Sequence, residues 1–227
     1  MQAVILAAGY GLRLRPFTET APKSLVPVLG KPLLEWTLES LPKSIDEIII
    51  VIGWLGEQIE KHFKDEFQGL PIRYVRMSII NGTGSALHTA ASMLHDKFLV
   101  VNGDDVYAKA DLTALAQVPN WGMLATKTTK PIAGGLELDS SGNITSISAN
   151  ITDTEKWQNC GAYLTDTTFF NLPLVEIPVR DNVEYSLPHT LVLDAEKRPV
   201  KLISASKWLP IGTYEELAKA EELLDNT

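Results

Sequence analysis

The first half of the chain alternates between short apolar runs rich in Val and Ile and longer amphipathic stretches. The apolar runs are Ala3–Ala8, Glu47–Ile52, Ile72–Met77 and Phe98–Asn102. Their length and composition are typical of strands that are buried on both faces. The amphipathic stretches between them are Pro32–Leu41, Leu55–Phe67 and Gly84–Leu94. This alternation predicts βαβ units with right-handed crossovers, and therefore a parallel sheet flanked by helices.

The pattern changes after about residue 120. Further strands are predicted at Met123–Thr126, Gly161–Leu164 and Val200–Ile203, a hairpin at Gly135–Leu138 and Ile144–Ser148, and a closing helix at Thr213–Leu224. We therefore expect an α/β fold with a Rossmann-like, mostly parallel sheet and a small, partly antiparallel lobe, all within a single domain, 1–227. The halves of this domain are 1–120 and 121–227. A ligand cleft is expected at the carboxyl ends of the first strands.

Charge and composition exclude several classes of protein. With 20 Lys and Arg against 28 Asp and Glu, the net charge is −8. That balance argues against a general nucleic-acid binder, which needs a basic face. The single cysteine, Cys160, excludes an intramolecular disulfide framework. Neither a membrane-spanning apolar run nor a signal-peptide pattern is present in this sequence, so we expect a cytoplasmic protein with no membrane partner.

The loop after the first apolar run combines glycines with positive charge. Gly9 and Gly11 allow the backbone to approach a ligand closely and to point N–H groups at an anion. Arg13 and Lys23 supply the positive charge that a triphosphate requires. Taken alone, two glycines at this spacing are equally compatible with a plain tight turn.

Two familiar phosphate-binding motifs do not fit. A dinucleotide-binding fingerprint needs a third Gly or Ala at the position of Leu14. It also needs an acidic residue directly after the second strand, and this sequence has no acidic residue there. A nicotinamide oxidoreductase is therefore disfavoured. A Walker A loop needs Ser or Thr after Gly-Lys, but Gly30-Lys31 is followed by Pro32.

A longer pattern around this loop resembles a known signature. It comprises Leu6-Ala7-Ala8-Gly9-x-Gly11-x-Arg13-Leu14-x-Pro16-x-Thr18, Pro22-Lys23-x-Leu25-Val26-Pro27-Val28 and Gly30-Lys31-Pro32-Leu33. Across about thirty positions it resembles the signature of the sugar-1-phosphate nucleotidyltransferases, or NDP-sugar pyrophosphorylases. The resemblance implies a fold of the nucleotide-diphospho-sugar transferase type and transfer of a nucleotidyl group from an NTP to a sugar 1-phosphate. It also implies that Arg13 and Lys23 are catalytic residues that contact the phosphates. Leu6, Ala7, Ala8 and Gly9 are implied to line the nucleoside, and Gly11 to bind the nucleotide.

A second glycine-containing segment follows the third apolar run. Gly82-Thr83-Gly84-Ser85-Ala86 has the composition of a helix start, with Thr83 as a plausible N-cap. It also resembles the G-T-x-x-A element of the same family, which implies that Gly82 and Thr83 bind the nucleotide. Family members that read uracil or thymine often have Gln about six residues before this Gly. Here Arg76 stands there, so the base stays open.

An acidic pair, Asp104-Asp105, follows the fourth apolar run. A carboxylate at the carboxyl end of a parallel strand faces the ligand cleft, and its hard oxygens suit Mg²⁺. The alternative is a turn-forming Asp pair. The resemblance to the family's G-D element implies that Asp104 binds Mg²⁺, with Asp105 in a supporting or turn-forming role.

The second half resembles the family more loosely. Gly135 lies in a segment that resembles the family's glycine-containing strand beside the sugar, and Asn159-x-Gly161-x-Tyr163 resembles its N-x-G-x-Y element. The resemblance implies that Gly135 and Asn159 bind the acceptor, with Glu184 as a weaker candidate. It divides the domain into a nucleotide-binding half, 1–120, and an acceptor-binding half, 121–227.

Two positions depart from the family pattern. Pro210 stands where the W-x-D-x-G-T element has a second metal-binding Asp, and Asn150 stands where a Lys near the sugar phosphate is usual. Lys156 is a candidate substitute for that Lys. A catalytically weakened nucleotide-sugar-binding or regulatory homologue therefore remains an alternative, as does a cytidylyltransferase with a non-sugar acceptor such as phosphocholine. The expected partners are an NTP and a sugar 1-phosphate. The chain is expected to resemble the short members of the family that have a single activity, and to be a monomer or a small homo-oligomer.

Overall fold

A computed structural model gives the structure of the chain and describes residues 1–132, 134–148, 154–179 and 182–225. Asn150 lies outside the described residues, so the departure from the family pattern at that position stays a sequence observation. The other candidate residues all fall within the described ranges.

Strands and helices alternate through the first half of the chain. In chain order they are β1 (Gln2–Ala7), β2 (Pro27–Val28), β3 (Lys31–Pro32), α1 (Leu33–Glu39), β4 (Glu47–Ile52), α2 (Gly56–Phe63), β5 (Glu66–Phe67), β6 (Leu70–Arg76), α3 (Thr83–Thr89), β7 (Lys97–Asn102), β8 (Asp105–Tyr107) and α4 (Lys109–Ala116). The predicted strands of this half are confirmed as β1, β4, β6 and β7.

Strands dominate the second half. They are β9 (Trp121–Thr128), β10 (Gly135–Leu138), β11 (Asn143–Ser148), β12 (Lys156–Asp166), β13 (Val175–Val179), β14 (Asn182–Ser186), β15 (Val200–Ser204) and β16 (Trp208–Pro210), with α5 (Leu187–Leu191) and α6 (Tyr214–Asp225). The predicted hairpin is confirmed as β10–β11, and the predicted closing helix as α6.

The main sheet is mixed, and both halves of the chain contribute to it. Its strand order among the described residues is β10-β11-β15-β9-β12-β7-β1-β4-β6-β5. The strands β7, β1, β4 and β6 run parallel, which confirms the parallel arrangement predicted for the first half. Strand β12 lies antiparallel between β7 and β9, so the second half extends the same sheet.

Strand β1 shows why the parallel strands need apolar residues at every position. All six of its residues are buried. Ala3 and Ile5 belong to the core cluster on one face of the sheet, whereas Val4 and Leu6 belong to the cluster on the other. Helices cover both faces, so a strand at the centre of the sheet has no solvent-facing side. Among the residues that the structure describes, no helix has the length and apolar composition that a membrane crossing requires.

The helix predicted over Leu55–Phe67 is wrong in its last four residues. Helix α2 ends at Phe63, and Lys64 adopts a φ of 55° that stops it. The chain then forms the β5–β6 hairpin, whose turn residues Gln68 and Gly69 also have positive φ angles. Two successive positive φ values are characteristic of tight hairpin turns. Without an Asn-Gly or Asp-Gly pair, this turn carries only a weak sequence signal.

Helix α3 carries a half-buried histidine, His88, whose Nε2 atom is itself buried. Within the described part of the chain this Nε2 has no hydrogen-bond partner, and the ring makes edge-on contacts with Phe169 and Phe170. Burial lowers the pKa of His88 below its ordinary value, because the charged imidazolium is poorly solvated there.

This shift predicts a pH-dependent stability. Between the lowered folded-state pKa and an unfolded-state pKa of about 6.5, the unfolded chain binds more protons than the folded chain. The free energy of unfolding should therefore fall as the pH drops below about 6.5, and His88→Gln should weaken this dependence by at most about 1.4 kcal/mol per pH unit. Urea denaturation at several pH values measures it. The exposed His62, changed to Gln, is the control; an equal effect from His62→Gln would contradict the assignment.

Candidate active site

Three loops lie side by side at the carboxyl ends of β7, β1 and β4. Gly103 donates its backbone N–H to the carbonyl of Leu6 at 2.9 Å, and Trp54 donates to the carbonyl of Ala8 at 3.1 Å. These bonds join the loop of each neighbouring strand to the end of β1. The predicted nucleoside-lining residues Leu6, Ala7 and Ala8 are consequently buried, whereas Gly9 is exposed with open space around it.

The loop after β1 is held by Gly11. This residue adopts a φ of 64°, and its carbonyl accepts hydrogen bonds from the backbone N–H of Leu14 and the hydroxyl of Thr18, each at 2.9 Å. A Cβ at position 11 would lie 2.9 Å from Cγ2 of Thr18 and 3.1 Å from Cβ of Lys23. Glycine is therefore required both for the backbone conformation and for the close packing of Lys23.

Lys23 and Asp104 form an ion pair at this edge of the sheet. Nζ of Lys23 lies 2.6 Å from Oδ2 of Asp104. The lysine side chain is 13% exposed and the aspartate side chain 34%. Lys23 belongs to the loop after β1, whereas Asp104 follows β7, so the parallel pairing of β1 and β7 brings the two residues together. The predicted phosphate-binding cation and the predicted metal ligand are thus in direct contact.

The guanidinium group of Arg13 lies against Gly212, close to the start of α6. A Cβ at position 212 would lie 2.5 Å from one terminal nitrogen of Arg13 and 3.0 Å from Oε2 of Glu216. Oε2 of Glu216 accepts the backbone N–H of Gly212 at 2.7 Å. Arg13 is otherwise exposed. The absence of a side chain at position 212 is what makes room for the guanidinium group.

Asp105 is buried within a network of hydrogen bonds. Its Oδ2 accepts from Nε1 of Trp208 at 3.2 Å and from the hydroxyl of Tyr107 at 3.3 Å. Burial, followed by the neighbouring charge of Asp104, raises the pKa of Asp105 to about 7, and Lys23 acts in the opposite direction. The carboxylate of Asp105 is therefore already hydrogen-bonded within the protein, whereas the side chain of Asp104 is more exposed.

Pro210 lies directly across from Asp105. The short strands β8 and β16 pair antiparallel outside the main sheet, with Pro210 opposite Asp105 and Trp208 opposite Tyr107. Proline is tolerated at the end of such a short ribbon because few ladder bonds depend on it. The position at which the W-x-D-x-G-T pattern has its Asp is therefore next to the acidic pair. None of the four paired residues supplies an exposed carboxylate in its place.

The residues present fit a magnesium ion that is shared with a substrate. Among the described residues, no group of three or more His, Cys, Asp or Glu side chains could enclose a metal. Magnesium commonly uses one or two carboxylates, water and substrate phosphates instead. Asp104 provides one partly exposed carboxylate for that arrangement, and this donor set does not suit a metal that must bind without substrate.

Gly82 and Thr83 pack against the β13–β14 hairpin and the start of α5. Gly82 has a φ of 112°, and a Cβ there would lie 2.4 Å from the carbonyl oxygen of Tyr185. Gly82 is the N-cap residue of α3, so the interpretation of Thr83 as N-cap is wrong; the Thr83 hydroxyl accepts the backbone N–H of Leu187 at 3.1 Å. Glu184 precedes Tyr185 and is half-buried. These contacts place Gly82 beside Tyr185 of β14 and Thr83 beside Leu187 of α5.

Gly82→Ala should destabilise the protein by about 1 to 3 kcal/mol, because alanine is strained at this φ and its Cβ would collide with backbone. The matched control is Gly69→Ala. Gly69 has a similar φ of 84°, but a Cβ there meets nothing within 4 Å. We expect a loss of about 1 kcal/mol at Gly69. Urea denaturation with a constant m-value measures both, and equal losses would show that the contact with Tyr185 is unimportant.

Asn159 stabilises a bulge in β12. Its Oδ1 accepts the backbone N–H of Gly161 at 2.9 Å, and its Nδ2 donates to the hydroxyl of Tyr163 at 2.7 Å. Gly161 has a φ of 74°, and a Cβ there would lie 2.2 Å from Nδ2 of Asn102. The bulge thus packs against the residue that ends β7, two positions before Asp104.

The other acceptor candidates lie close to the beginning of β12. Gly135 begins β10, and the next residue, Leu136, pairs with Trp157. Lys156 and Asn159 are three positions apart in a regular part of the ladder, so their side chains point to opposite faces of β12. Lys156 therefore does not share the face of Asn159.

Four residues of the site carry roles that the sequence alone did not indicate. Trp208 donates to Asp105, Gly212 underlies Arg13, and the Tyr107 hydroxyl donates to the carbonyl of Cys160 at 2.9 Å as well as to Asp105. Gly161 opens the bulge. Trp208 and Gly212 belong to the W-x-P-x-G-T segment, so that motif contained a signal for both, whereas Tyr107 has none.

Comparison with known proteins places the chain in a family. The sequence pattern of the family described as nucleotidyl transferase matches residues 2–227. Over 174 residues the chain is 32% identical to D-glycero-alpha-D-manno-heptose 1-phosphate guanylyltransferase of Campylobacter jejuni. This alignment covers 75% of this chain and 78% of that protein. Over 107 residues it is 39% identical to the bifunctional protein GlmU of Methanocaldococcus jannaschii, covering 47% of this chain and 26% of that protein. The matches cover between 25% and 53% of the length of the GlmU relatives, so the chain spans at most about half of them.

The fold is also similar to that of a solved structure. UDP-glucose pyrophosphorylase complexed with UDP-glucose matches with a TM-score of 0.81 and 18% sequence identity, over 99% of this chain and 98% of that one. At this identity the likeness concerns the fold alone. It confirms the predicted α/β fold of the nucleotide-diphospho-sugar transferase type.

Proposed function

The chain belongs to the nucleotidyl transferase family, and we propose that it transfers a nucleotidyl group from an NTP to a sugar 1-phosphate, releasing pyrophosphate. The observation that supports this most is the contact between Lys23 and Asp104 at the carboxyl ends of β1 and β7. A phosphate-binding cation and a metal-binding carboxylate are adjacent there, at the edge of a parallel sheet where ligands bind.

The proposed reaction forms one bond and breaks one. An oxygen of the sugar phosphate attacks the α-phosphorus of the NTP, and the bond from that phosphorus to the bridging oxygen of the β-phosphate breaks. The attacking oxygen is already ionised at neutral pH, so no general base is needed. The barrier lies in bringing two anions together in line, and the protein contributes positioning and charge neutralisation.

Three side chains carry the charge in this proposal. Arg13 and Lys23 offset the negative charge of the triphosphate and of the departing pyrophosphate. Asp104 is the residue that would hold Mg²⁺, which when bound neutralises phosphate charge between the two substrates. Leu6–Gly9, Gly11, Gly82 and Thr83 seat the nucleotide, while Gly135, Asn159 and Glu184 seat the acceptor, within a single domain, 1–227.

The base and the acceptor are less constrained than the reaction. The relatives act, by their names, on a guanylyl donor with a heptose 1-phosphate and on UDP-glucose. Arg76, where a base-reading Gln is often found, forms ion pairs of 3.6 Å with Glu57 and Glu60 of α2. Because its guanidinium group is already paired with α2, we propose that Arg76 does not read the base.

Pyrophosphate release tests the proposal. The purified chain is incubated with Mg²⁺, each of the four common NTPs and a panel of sugar 1-phosphates, with phosphocholine as a non-sugar acceptor. Release that depends on one base and one class of acceptor is the expected result. Release of pyrophosphate only with CTP and phosphocholine would instead identify a cytidylyltransferase with a non-sugar acceptor.

A second candidate function is nucleotide-sugar binding with weakened catalysis. The observation in its favour is Pro210, which faces Asp105 where the family pattern has a second acid. Thermal-shift screening separates the two functions, because a ligand that binds the folded state raises the melting temperature even without turnover. A clear shift with an NDP-sugar, together with no pyrophosphate release on any pair, would support the binding protein.

A further inference from the structure

The ion pair between Lys23 and Asp104 joins two residues that the proposed function assigns to different ligands. Lys23 would bind the triphosphate and Asp104 the divalent cation, yet each is held by the other at 2.6 Å. We infer, on the basis of the proposed function, that Lys23 occupies the place of the cation until nucleotide arrives. The ammonium group then exchanges Asp104 for the triphosphate as metal and nucleotide enter together.

The lysine is built so that its ammonium group can move while its backbone stays fixed. Residue 23 begins a short helical turn, Lys23–Leu25, that Val26 closes with a 3.0 Å hydrogen bond to the Lys23 carbonyl. Its Cβ packs against Gly11 in the loop after β1. Beyond Cβ the stem is flexible, and an ammonium group has no fixed bonding plane. The same anchored stem can therefore direct Nζ to Asp104 or to a phosphate above the glycine loop.

The charges around Asp104 explain why exchange requires nucleotide. The adjacent Asp105 is buried and hydrogen-bonded to Trp208 and Tyr107. A metal ion that arrives alone must displace the ammonium group from Asp104 and leave it beside the new charge. A metal that arrives with triphosphate supplies the ammonium group with a new partner. Metal and nucleotide should therefore bind with positive coupling, and each should bind weakly alone.

Manganese binding without nucleotide tests the exchange directly. Mn²⁺ serves as the probe, and its free concentration is read by electron paramagnetic resonance. Lys23→Met keeps the stem and removes the competing charge, so we expect about tenfold or greater tightening, in line with the effect of a nearby charge on a carboxylate. Lys43→Met is the matched control. Lys43 is exposed before the amino end of β4, at the edge of the sheet opposite the cleft.

Binding of polyphosphate without metal gives a second, opposite readout. The probe is inorganic tripolyphosphate in the presence of a chelator. Asp104→Asn releases the ammonium group of Lys23, so tripolyphosphate should bind about tenfold more tightly than it binds the unaltered chain. In the Lys23→Met background the same substitution should give a smaller gain, and the difference between the two gains measures the coupling. This arm remains informative if Lys23→Met fails to fold, because Asp104→Asn alone must tighten binding.

The outcomes separate this inference from the proposed function. Tighter Mn²⁺ binding by Lys23→Met that disappears on adding Asp104→Asn supports the exchange. The exchange is overturned if Lys23→Met leaves the Mn²⁺ affinity unchanged, if the tighter binding persists when Asp104→Asn is added, or if Lys43→Met has an equal effect. It is also overturned if Asp104→Asn does not increase the affinity for tripolyphosphate. Pyrophosphate release by the unaltered chain is scored separately. Turnover without the Mn²⁺ effect would leave the function standing and remove the exchange.

Discussion

Asp104→Asn is expected to lower the rate of pyrophosphate release by about 10³-fold, since a bound metal contributes several kcal/mol of charge stabilisation. Asp104 is the partly exposed carboxylate at the end of β7, and an amide at this position is neutral and a poorer ligand for Mg²⁺. Steady-state turnover across a range of Mg²⁺ concentrations measures the effect. If the lost group is a metal ligand, the variant should also need a higher Mg²⁺ concentration for half-maximal turnover than the original chain does.

Asp105→Asn is the matched comparison for this loss. The side chain of Asp105 is buried and already bonded to Trp208 and Tyr107, so we expect turnover to stay within about tenfold of the original. A loss at Asp105 as large as that at Asp104 would mean that the acidic pair holds the metal jointly. A near-normal rate for Asp104→Asn would remove this residue from the metal site.

Arg13→Ala is expected to lower turnover by about 10²-fold, the effect of losing one oriented donor to a developing charge. Folding stability should change by no more than about 0.5 kcal/mol, because Arg13 is exposed. Arg15→Ala is the control: it removes the same charge from the same loop at another exposed position. Comparable losses for the two variants would show that only the net charge of the loop matters.

Gly212→Ala tests the placement of Arg13 without altering its charge. A methyl group there would meet the guanidinium group at 2.5 Å and displace it. We expect turnover to fall by about tenfold in the original chain and to be unaffected in the Arg13→Ala background, since neighbouring residues that act together are not additive. A further loss in that background would assign Gly212 a role unrelated to Arg13.

The sequence predicted those parts of the fold that depend on local patterns. The limits of β4, Glu47–Ile52, were predicted correctly because a strand buried on both faces must be apolar throughout. Helix α4 was not predicted, and its weak amphipathic pattern explains why: Lys109–Ala116 has apolar or small residues on most sides and an alanine as its N-cap. The hairpin β13–β14 was missed as well, since Pro178 argues against a central strand and is tolerated here because both strands of a two-stranded ribbon are edge strands.

In the candidate site, too, some features could be predicted from local patterns and others could not. Arg13, Lys23 and Asp104 could be proposed from loop composition and the resemblance, because the glycines and the charged residues follow predicted strands. Their contacts could not be predicted. The position of Arg13 depends on Gly212, almost two hundred residues later, and the burial of Asp105 depends on Trp208. Such contacts are set by the packing of distant segments, which no local periodicity encodes.

The β8–β16 ribbon also has a consequence for synthesis. Asp105 and Pro210 are cross-strand partners, yet 105 positions separate them. At elongation rates of about 5–20 residues per second, the acidic loop leaves the ribosome roughly 5–20 s before the strand that braces it. During that interval the nascent chain already carries both the lysine and the aspartate of the ion pair. The residues of β16 that help to bury Asp105 have not yet been synthesised. The cleft of the growing chain is therefore more open to solvent than that of the complete chain.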